Sequence, residues 1–157
     1  MKKVICVILA FCMMCSFAGC ADFLGGSLFL IFAAANDDRA DKETIAAFVC
    51  EQEDALLQGI ENRDFSAFEG KGFIKDIAVD NGVVEFSCGG MGMGSATSYV
   101  GFYYTPDNDI SAVWCAPSSP DLLTPSGKGF VWQEPNGDNR FYAEKICENF
   151  YYYEASF

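Results

Sequence analysis

Two apolar runs open the chain. The first, Val4 to Ala18, has Ser16 as its only polar side chain and follows the basic pair Lys2-Lys3. A short basic start before an apolar run predicts a secretory signal peptide, which we place at residues 1–19. Because positive charge stays on the cytoplasmic side of a membrane, the remainder of the chain is predicted to be exported.

The second apolar run, Phe23 to Ala35, follows almost at once. It is shorter than the roughly 20 residues that a helix needs to cross the hydrocarbon core. Asp22 and Gly25-Gly26 argue against one continuous membrane helix through both runs. We interpret residues 20–40 as an apolar juxtamembrane segment and linker. The pattern leaves three placements open: along the membrane interface, in the folded core, or beside an uncleaved leader.

Beyond a polar break at residues 36–41, apolar side chains recur at three- and four-residue spacings as far as about Glu61. This period predicts one amphipathic helix from Asp41, with Asp37, Asp38 or Asp41 as its N-cap. The apolar stripe consists of Ile45, Phe48, Val49, Ala55, Leu56 and Ile60. We expect Phe48, Val49 and Leu56 to be buried.

After Gly70 the helical period gives way to short apolar segments separated by turn residues. Asn81-Gly82 predicts a tight hairpin, because both residues tolerate the positive φ of a type I′ turn. A second hairpin is predicted across Cys147-Glu148-Asn149. The predicted strands are Ile74–Val79, Val83–Cys88, Tyr99–Tyr104, Ile110–Cys115, Phe130–Glu134, Phe141–Ile146 and Phe150–Ser156.

A helix followed by closely spaced antiparallel strands is typical of an α+β domain. We therefore predict that residues 41–157 form one N-terminal amphipathic helix packed on an antiparallel β-meander of about five to seven strands. Helices and strands do not alternate, which argues against a parallel nucleotide-binding sheet.

The amino-acid composition and net charge exclude several classes of protein function. A chain of 157 residues that is 51% hydrophobic and 15% aromatic is too apolar to be disordered. Its formal charge of −12 repels phosphate backbones, so we expect no nucleic-acid partner. Histidine is absent from the sequence, which excludes His-dependent catalytic triads and His-ligated zinc sites. We expect neither a cofactor nor a metal.

The apolar leader ends in Phe17-Ala18-Gly19-Cys20. Small residues before a cysteine at this position resemble the lipobox of bacterial lipoprotein precursors, although Phe17 departs from the usual aliphatic residue. The resemblance implies cleavage before Cys20 and lipidation of its thiol. Several acyl chains anchor a protein far more firmly than one. We therefore expect a lipid-anchored protein on the extracytoplasmic side of the cell membrane.

Four cysteines remain for the exported domain: Cys50, Cys88, Cys115 and Cys147. Their wide spacing contains no zinc knuckle. An exported location permits two disulfides in three connectivities. The alternative is that the four cysteines stay reduced, as they often do in anaerobic bacteria. A catalytic thiol is not expected, because no histidine is present to activate it.

Other local motifs predict structure rather than chemistry. The glycine-rich run from Cys88 to Ser95 lacks the helix and the lysine of a phosphate-binding loop, so it predicts a connection or bulge between strands. Asp107-Asn108-Asp109 and Asn136–Asn139 resemble fragments of calcium loops. Neither completes the pattern of such a loop, and both are typical of turns.

Tyrosine and tryptophan are frequent enough for both faces of the sheet to carry aromatic rings. We expect one face to be covered by the helix. The rings of the other face either pack across the strands in a thin core or form an exposed surface, and we expect any ligand to meet that surface or the adjoining glycine-rich run. The candidate ligand-binding residues are Tyr103, Trp114, Trp132 and Tyr152. The acidic chain favours neutral or cationic partners.

Two stretches, Gly94–Tyr104 and Phe150–Ala155, resemble a group of small lipoproteins of anaerobic bacteria, and this resemblance brings no activity with it. No nucleophile–base pair stands out in the sequence. We therefore expect a non-catalytic binding or structural module with an unknown protein or glycan partner. The alternative is a carboxylate-dependent cell-envelope hydrolase, for which 22 acidic residues are too common a feature to be a specific signal.

Overall fold

The structure is a computed structural model that describes residues 40–93 and 96–157. These residues belong to one compact unit, Asp38–Phe157. The predicted signal peptide, Cys20 and the apolar segment 23–35 lie outside the described residues. Within the described ranges, no helix is both long and apolar enough to cross a membrane.

Two helices stand where one was predicted. Helix α1 spans Lys42–Glu51 and helix α2 spans Glu53–Asn62, with Gln52 between them. The Asp41 side chain caps α1 by accepting a hydrogen bond of 2.7 Å from the Thr44 amide. The prediction of a continuous helix is wrong at Gln52, whose φ of −111° and ψ of 13° leave the helical region. The apolar period continues through this position, so the sequence pattern carries no sign of the break.

Within the described ranges, seven strands form one antiparallel sheet. They are β1 (Asp76–Asp80), β2 (Val83–Met93), β3 (Ala96–Tyr104), β4 (Thr124–Ser126), β5 (Gly129–Gln133), β6 (Arg140–Cys147) and β7 (Phe150–Ser156). The mixed α+β class is thereby confirmed. The order across the sheet is β1-β2-β3-β7-β6-β5-β4, so two meanders meet where β3 pairs with β7. The prediction of a single meander is corrected by this junction.

Two predicted hairpins are present. Asp80 pairs with Val83 across Asn81-Gly82, whose φ angles of 49° and 86° suit the tight turn. In the second hairpin, β6 pairs with β7. The glycine-rich run extends β2 as far as Met93, with a register shift between Ser87 and Gly89. As far as Met93, the run is therefore a bulged strand.

The segment 105–123 crosses from β3 to β4 and contains a 3-10 helix at Pro120–Leu122. We call it the crossover. The strand predicted at Ile110–Cys115 is not formed. Instead, the Asp109 carboxylate accepts hydrogen bonds from both the amide and the hydroxyl of Ser111, each 2.8 Å long, and this local bonding turns the chain.

Both faces of the sheet are covered. The helix-side cluster packs beneath α1 and α2, and its buried members are Ile45, Val49, Leu56, Phe68, Ile74, Val84, Phe86, Cys88, Val100, Phe102, Phe150 and Tyr152. The crossover-side cluster lies on the opposite face, and its buried members are Tyr103, Val113, Cys115, Leu123, Phe141, Ala143, Tyr151, Tyr153 and Ala155. Val49 and Leu56 are fully buried as predicted, whereas Phe48 is partly buried.

Candidate functional site

The four candidate ligand-binding residues do not share a surface. Tyr103 is fully buried in the crossover-side cluster, and Tyr152 is buried in the helix-side cluster. Trp132, on β5, is partly buried against the crossover-side cluster. Only Trp114 among the four is exposed, with 62% of its surface accessible. The expectation of an open aromatic face is corrected, because the crossover covers that face.

Trp114 belongs to a group of three rings, which we call the aromatic corner: the exposed Trp114 and the partly buried Tyr99 and Phe157. The centroids of Trp114 and Phe157 are 5.8 Å apart with an interplanar angle of 26°, a stacked arrangement. Tyr99 meets Trp114 edge-on, at 5.6 Å and 79°. Both geometries are favourable for aromatic pairs. Trp114 is thus held against two neighbours while most of its own surface stays accessible.

The backbone explains why Trp114 points outward. Val113 and Cys115 are buried in the crossover-side cluster, and the residue between them is directed away from it. Two tyrosines of the sheet hold the preceding part of the crossover. Tyr103 donates to the Ile110 carbonyl, and the Tyr151 hydroxyl lies 2.9 Å from the Asn108 carbonyl oxygen. The crossover is therefore anchored next to the exposed ring.

The other two rings are supplied by the central strand pair. Tyr99 lies on β3 and pairs with Ala155 on β7 and with Gly90 on β2. Phe157 continues this pairing, because its amide and carbonyl exchange hydrogen bonds of 2.8 Å with Thr97. Tyr99 and Phe157 were not among the predicted ligand-binding residues. Because both residues are far from Trp114 in the sequence, no local pattern predicts that the three rings come into contact.

The glycine-rich part of β2 borders the aromatic corner. A Cβ atom at Gly90 would lie 3.2 Å from Cδ1 of Tyr99, and one at Gly92 would lie 2.5 Å from Cγ2 of Thr97. The side chains of β3 therefore lean over the glycine positions of β2. The space left by the missing side chains of Gly90 and Gly92 is thus occupied by Tyr99 and Thr97.

Tyrosine–carboxylate pairs occur elsewhere on the sheet. Tyr142 donates to Glu144 at 2.6 Å, and the Glu144 carboxylate also lies 2.8 Å from Nζ of Lys42. The hydrogen bonds from Lys42 and then Tyr142 lower the pKa of Glu144 below its ordinary value. A catalytic general acid requires the opposite shift. The triad of Lys42, Tyr142 and Glu144 therefore acts as a structural anchor between α1 and β6.

The cysteines differ in surroundings, and all four thiols of the described ranges are free. Burial raises the pKa of Cys88 and of Cys115 to about 12 each. Such thiols are poor nucleophiles near neutral pH. Cys147 is partly buried and Cys50 is exposed. Within the described residues, His, Cys, Asp and Glu side chains form no group able to hold a metal ion.

The two calcium-loop fragments are turns in the structure. Asn108 and Asn136 adopt left-handed φ angles of 57° and 65°. Asp109 is engaged by Ser111, and the Asn108 side-chain oxygen accepts a hydrogen bond of 2.7 Å from Tyr151. Local turn chemistry thus accounts for these polar residues.

Comparison with known proteins gives no information on the function of the chain. No protein-family model, no curated protein and no solved structure matches the chain. The aromatic corner, the exposed ring of Trp114 and the leader sequence are therefore the features on which a functional interpretation rests.

Proposed function

We propose that the chain is a lipid-anchored extracytoplasmic protein whose α+β domain is a non-catalytic binding module. Its partner is a neutral glycan, which contacts the aromatic corner. The binding role is supported by the 62% exposure of Trp114. Large apolar rings are usually shielded from water, and an exposed one is typical of a contact surface. The anchor is supported by the lipobox-like ending of the leader at Cys20.

The chemistry of the corner favours a sugar over other ligands. An exposed aromatic ring gives the apolar C–H face of a sugar a large, rigid contact at little cost in side-chain entropy. The formal charge of −12 disfavours polyanions.

Binding is tested with the full chain, solubilised in detergent, against a panel of neutral cell-envelope polysaccharides and peptidoglycan fragments. We expect Trp114→Ala to lower the affinity at least about tenfold, consistent with the loss of a central aromatic contact. Leu122→Ala is the matched control, because Leu122 is also exposed, at 48%, and lies outside the aromatic corner. Equal binding by wild type and Trp114→Ala would refute the assignment of the site.

The same incubations address the alternative function, a carboxylate-dependent hydrolase. Products are followed by mass spectrometry over several hours. Turnover that is abolished by a single Asp or Glu substitution would replace the binding role with a catalytic one.

Lipid attachment is tested in producing cells fed with labelled palmitate. We expect label in wild type and in Cys50→Ala, the control for loss of an unrelated cysteine, and none in Cys20→Ala. Equal labelling of the Cys20→Ala variant would overturn the proposed anchor. This outcome is independent of the glycan experiment, so the two halves of the proposal can fail separately.

A further inference from the structure

The start of α1 contacts the middle of β6. Lys42, at the start of α1, lies 2.8 Å from Glu144 on β6 and 5.7 Å from the ring centroid of Tyr142. Eight residues of helix from Lys42 to Cys50 advance about 12 Å. Three strand residues from Glu144 to Cys147 advance about 10 Å. Since α1 packs on β6, these similar distances are consistent with Cys50 and Cys147 lying at the same end of the contact.

The surroundings of Cys147 agree with this placement. Its side chain packs against the helix-side cluster, on the face covered by α1 and α2. Burial, followed by the nearby Glu53 at the start of α2 and Cys50, raises the pKa of the Cys147 thiol to about 11. The thiol of Cys147 therefore faces the junction between the two helices, and Cys50 lies in the last turn before that junction.

The other two cysteines are separated by the sheet. Cys88 is buried in the helix-side cluster, whereas Cys115 is buried in the crossover-side cluster on the opposite face. A disulfide requires Cα atoms within about 7 Å and side chains directed at each other. Two thiols buried on opposite faces of the sheet do not meet that condition.

We propose that Cys50 and Cys147 form a disulfide that joins the end of α1 to the C-terminal hairpin when the chain meets an oxidising environment. A low-molecular-weight disulfide such as oxidised glutathione is the oxidant. The exposed Cys50 thiolate attacks one of its sulfurs, and the first glutathione thiolate leaves. Cys147 loses its proton and attacks the mixed disulfide at Cys50, which releases the second glutathione thiolate. The two protons pass to the released thiolates, so one S–S bond forms and one is reduced.

The full chain is incubated with oxidised glutathione, denatured, treated with iodoacetamide and digested with trypsin. Trypsin places Cys50 in the peptide Glu43–Arg63 and Cys147 in Ile146–Phe157, while Cys88 and Cys115 share the peptide Asp76–Lys128. We expect the peptides of Cys50 and Cys147 to be linked, and Asp76–Lys128 to carry two alkyl groups. Cys50→Ser should abolish the linked species, whereas Cys88→Ala, as the control, should retain it.

A second readout is thermal unfolding of the oxidised full chain with and without reductant. Closing a loop of about 100 residues restricts the unfolded chain strongly, so reduction should lower the Tm of wild type by at least about 5 °C. Cys50→Ser should show no such difference. The proposal is overturned if Cys50 and Cys147 are both alkylated after oxidation, if either carries only a glutathione adduct, or if either is linked to another cysteine.

Discussion

At the residue scale, Gly101 shows how closely the two meanders approach at their junction. A Cβ atom at Gly101 would lie 2.3 Å from the Phe86 carbonyl oxygen and 2.9 Å from the ring of Tyr153, its partner on β7. The glycine therefore provides the space that the Tyr153 ring occupies. The hydroxyl of that ring donates a hydrogen bond to Glu85 on β2, which satisfies a buried polar group.

The substitution Gly101→Ala should lower the free energy of unfolding by about 1–3 kcal/mol, because the added methyl group collides with backbone that has no room to move. Urea unfolding followed by circular dichroism measures the change. Ala78→Ser, at an exposed position of β1, is the control and should stay within about 0.5 kcal/mol of wild type. A Gly101→Ala variant as stable as this control would show that the strands separate more readily than the structure indicates.

At the element scale, α1 and α2 are held to the sheet mainly by apolar side chains. Ile45 and Val49 of α1 and Leu56 of α2 are fully buried in the helix-side cluster. Leu56 and Leu57 form an informative pair, because they are adjacent leucines of the same helix and the second is 38% exposed. Their comparison separates the effect of burial from that of helix propensity.

Leu56→Ala should cost about 2–5 kcal/mol of unfolding free energy, since it removes a buried side chain and leaves a cavity. Leu57→Ala should cost less than about 1 kcal/mol. Chemical denaturation of both variants provides the test. Similar losses at the two positions would mean that the buried face of α2 is assigned incorrectly.

The ion pair between Lys42 and Glu144 also connects α1 to the sheet. Because hydrogen bonds lower the pKa of Glu144 in the folded state, its stabilising contribution is present above its ordinary value of 4.5 and is lost as the pH falls through the lowered value. At pH 7, Glu144→Gln should therefore be less stable than wild type by up to about 1 kcal/mol.

The difference should shrink when urea unfolding is repeated at successively lower pH below 4.5. Glu148→Gln is the matched control, because Glu148 pairs with Lys145 at 3.0 Å but both side chains are exposed. A stability difference for Glu144→Gln that is unchanged between pH 7 and pH 2.5 would contradict the assigned role of the carboxylate.

At the scale of the whole molecule, the central strands of the sheet are buried on both faces, whereas the edge strands β1 and β4 are largely exposed. Four consecutive residues of β7, Phe150 to Tyr153, are buried, as expected for a central strand with cover on each side. Tyrosines and cysteines are enclosed along with the aliphatic side chains. Their protonated forms are neutral, so folding favours those forms and opposes ionisation.

This burial predicts loss of stability in alkali. Desolvation raises the pKa of Tyr103 and Tyr153 above the ordinary 10.0, and that of Cys88 and Cys115 from 9.0 to about 12. Below pH 9 these tyrosine and cysteine side chains are protonated in both the folded and the unfolded chain. At higher pH the unfolded chain loses them first, so unfolding becomes easier by up to about 1.4 kcal/mol per pH unit for each group.

Urea midpoints measured at pH 7, 9 and 10.5 should therefore fall steeply over the last interval. Tyr103→Phe should show a smaller fall than wild type, because one buried titrating group has been removed. An unchanged midpoint at pH 10.5 would mean that these hydroxyls and thiols are solvated in the folded protein.

The sequence by itself determined the features that depend on residues a few positions apart. Asp41, one of the three predicted N-caps, caps α1 through Thr44, and Asn81-Gly82 closes the first hairpin, because each depends on local hydrogen bonding or φ preference. The apolar period likewise identified Val49 and Leu56 as buried. It failed at Gln52, where the helix breaks without any change of period, and at Ile110–Cys115, where Asp109 turns the chain.

Only the tertiary structure decided which strands became neighbours and which aromatic rings reached the surface. The pairing of Tyr103 with Tyr151 joins the two meanders across a long sequence separation, and the crossover then covers the face on which Tyr103 lies. Burial of Val113 and Cys115 in that cover turned Trp114 outward, against Tyr99 and Phe157. Every apolar residue has the same local tendency to be buried. Which of them are buried and which stay exposed is therefore decided by the long-range packing of the whole chain.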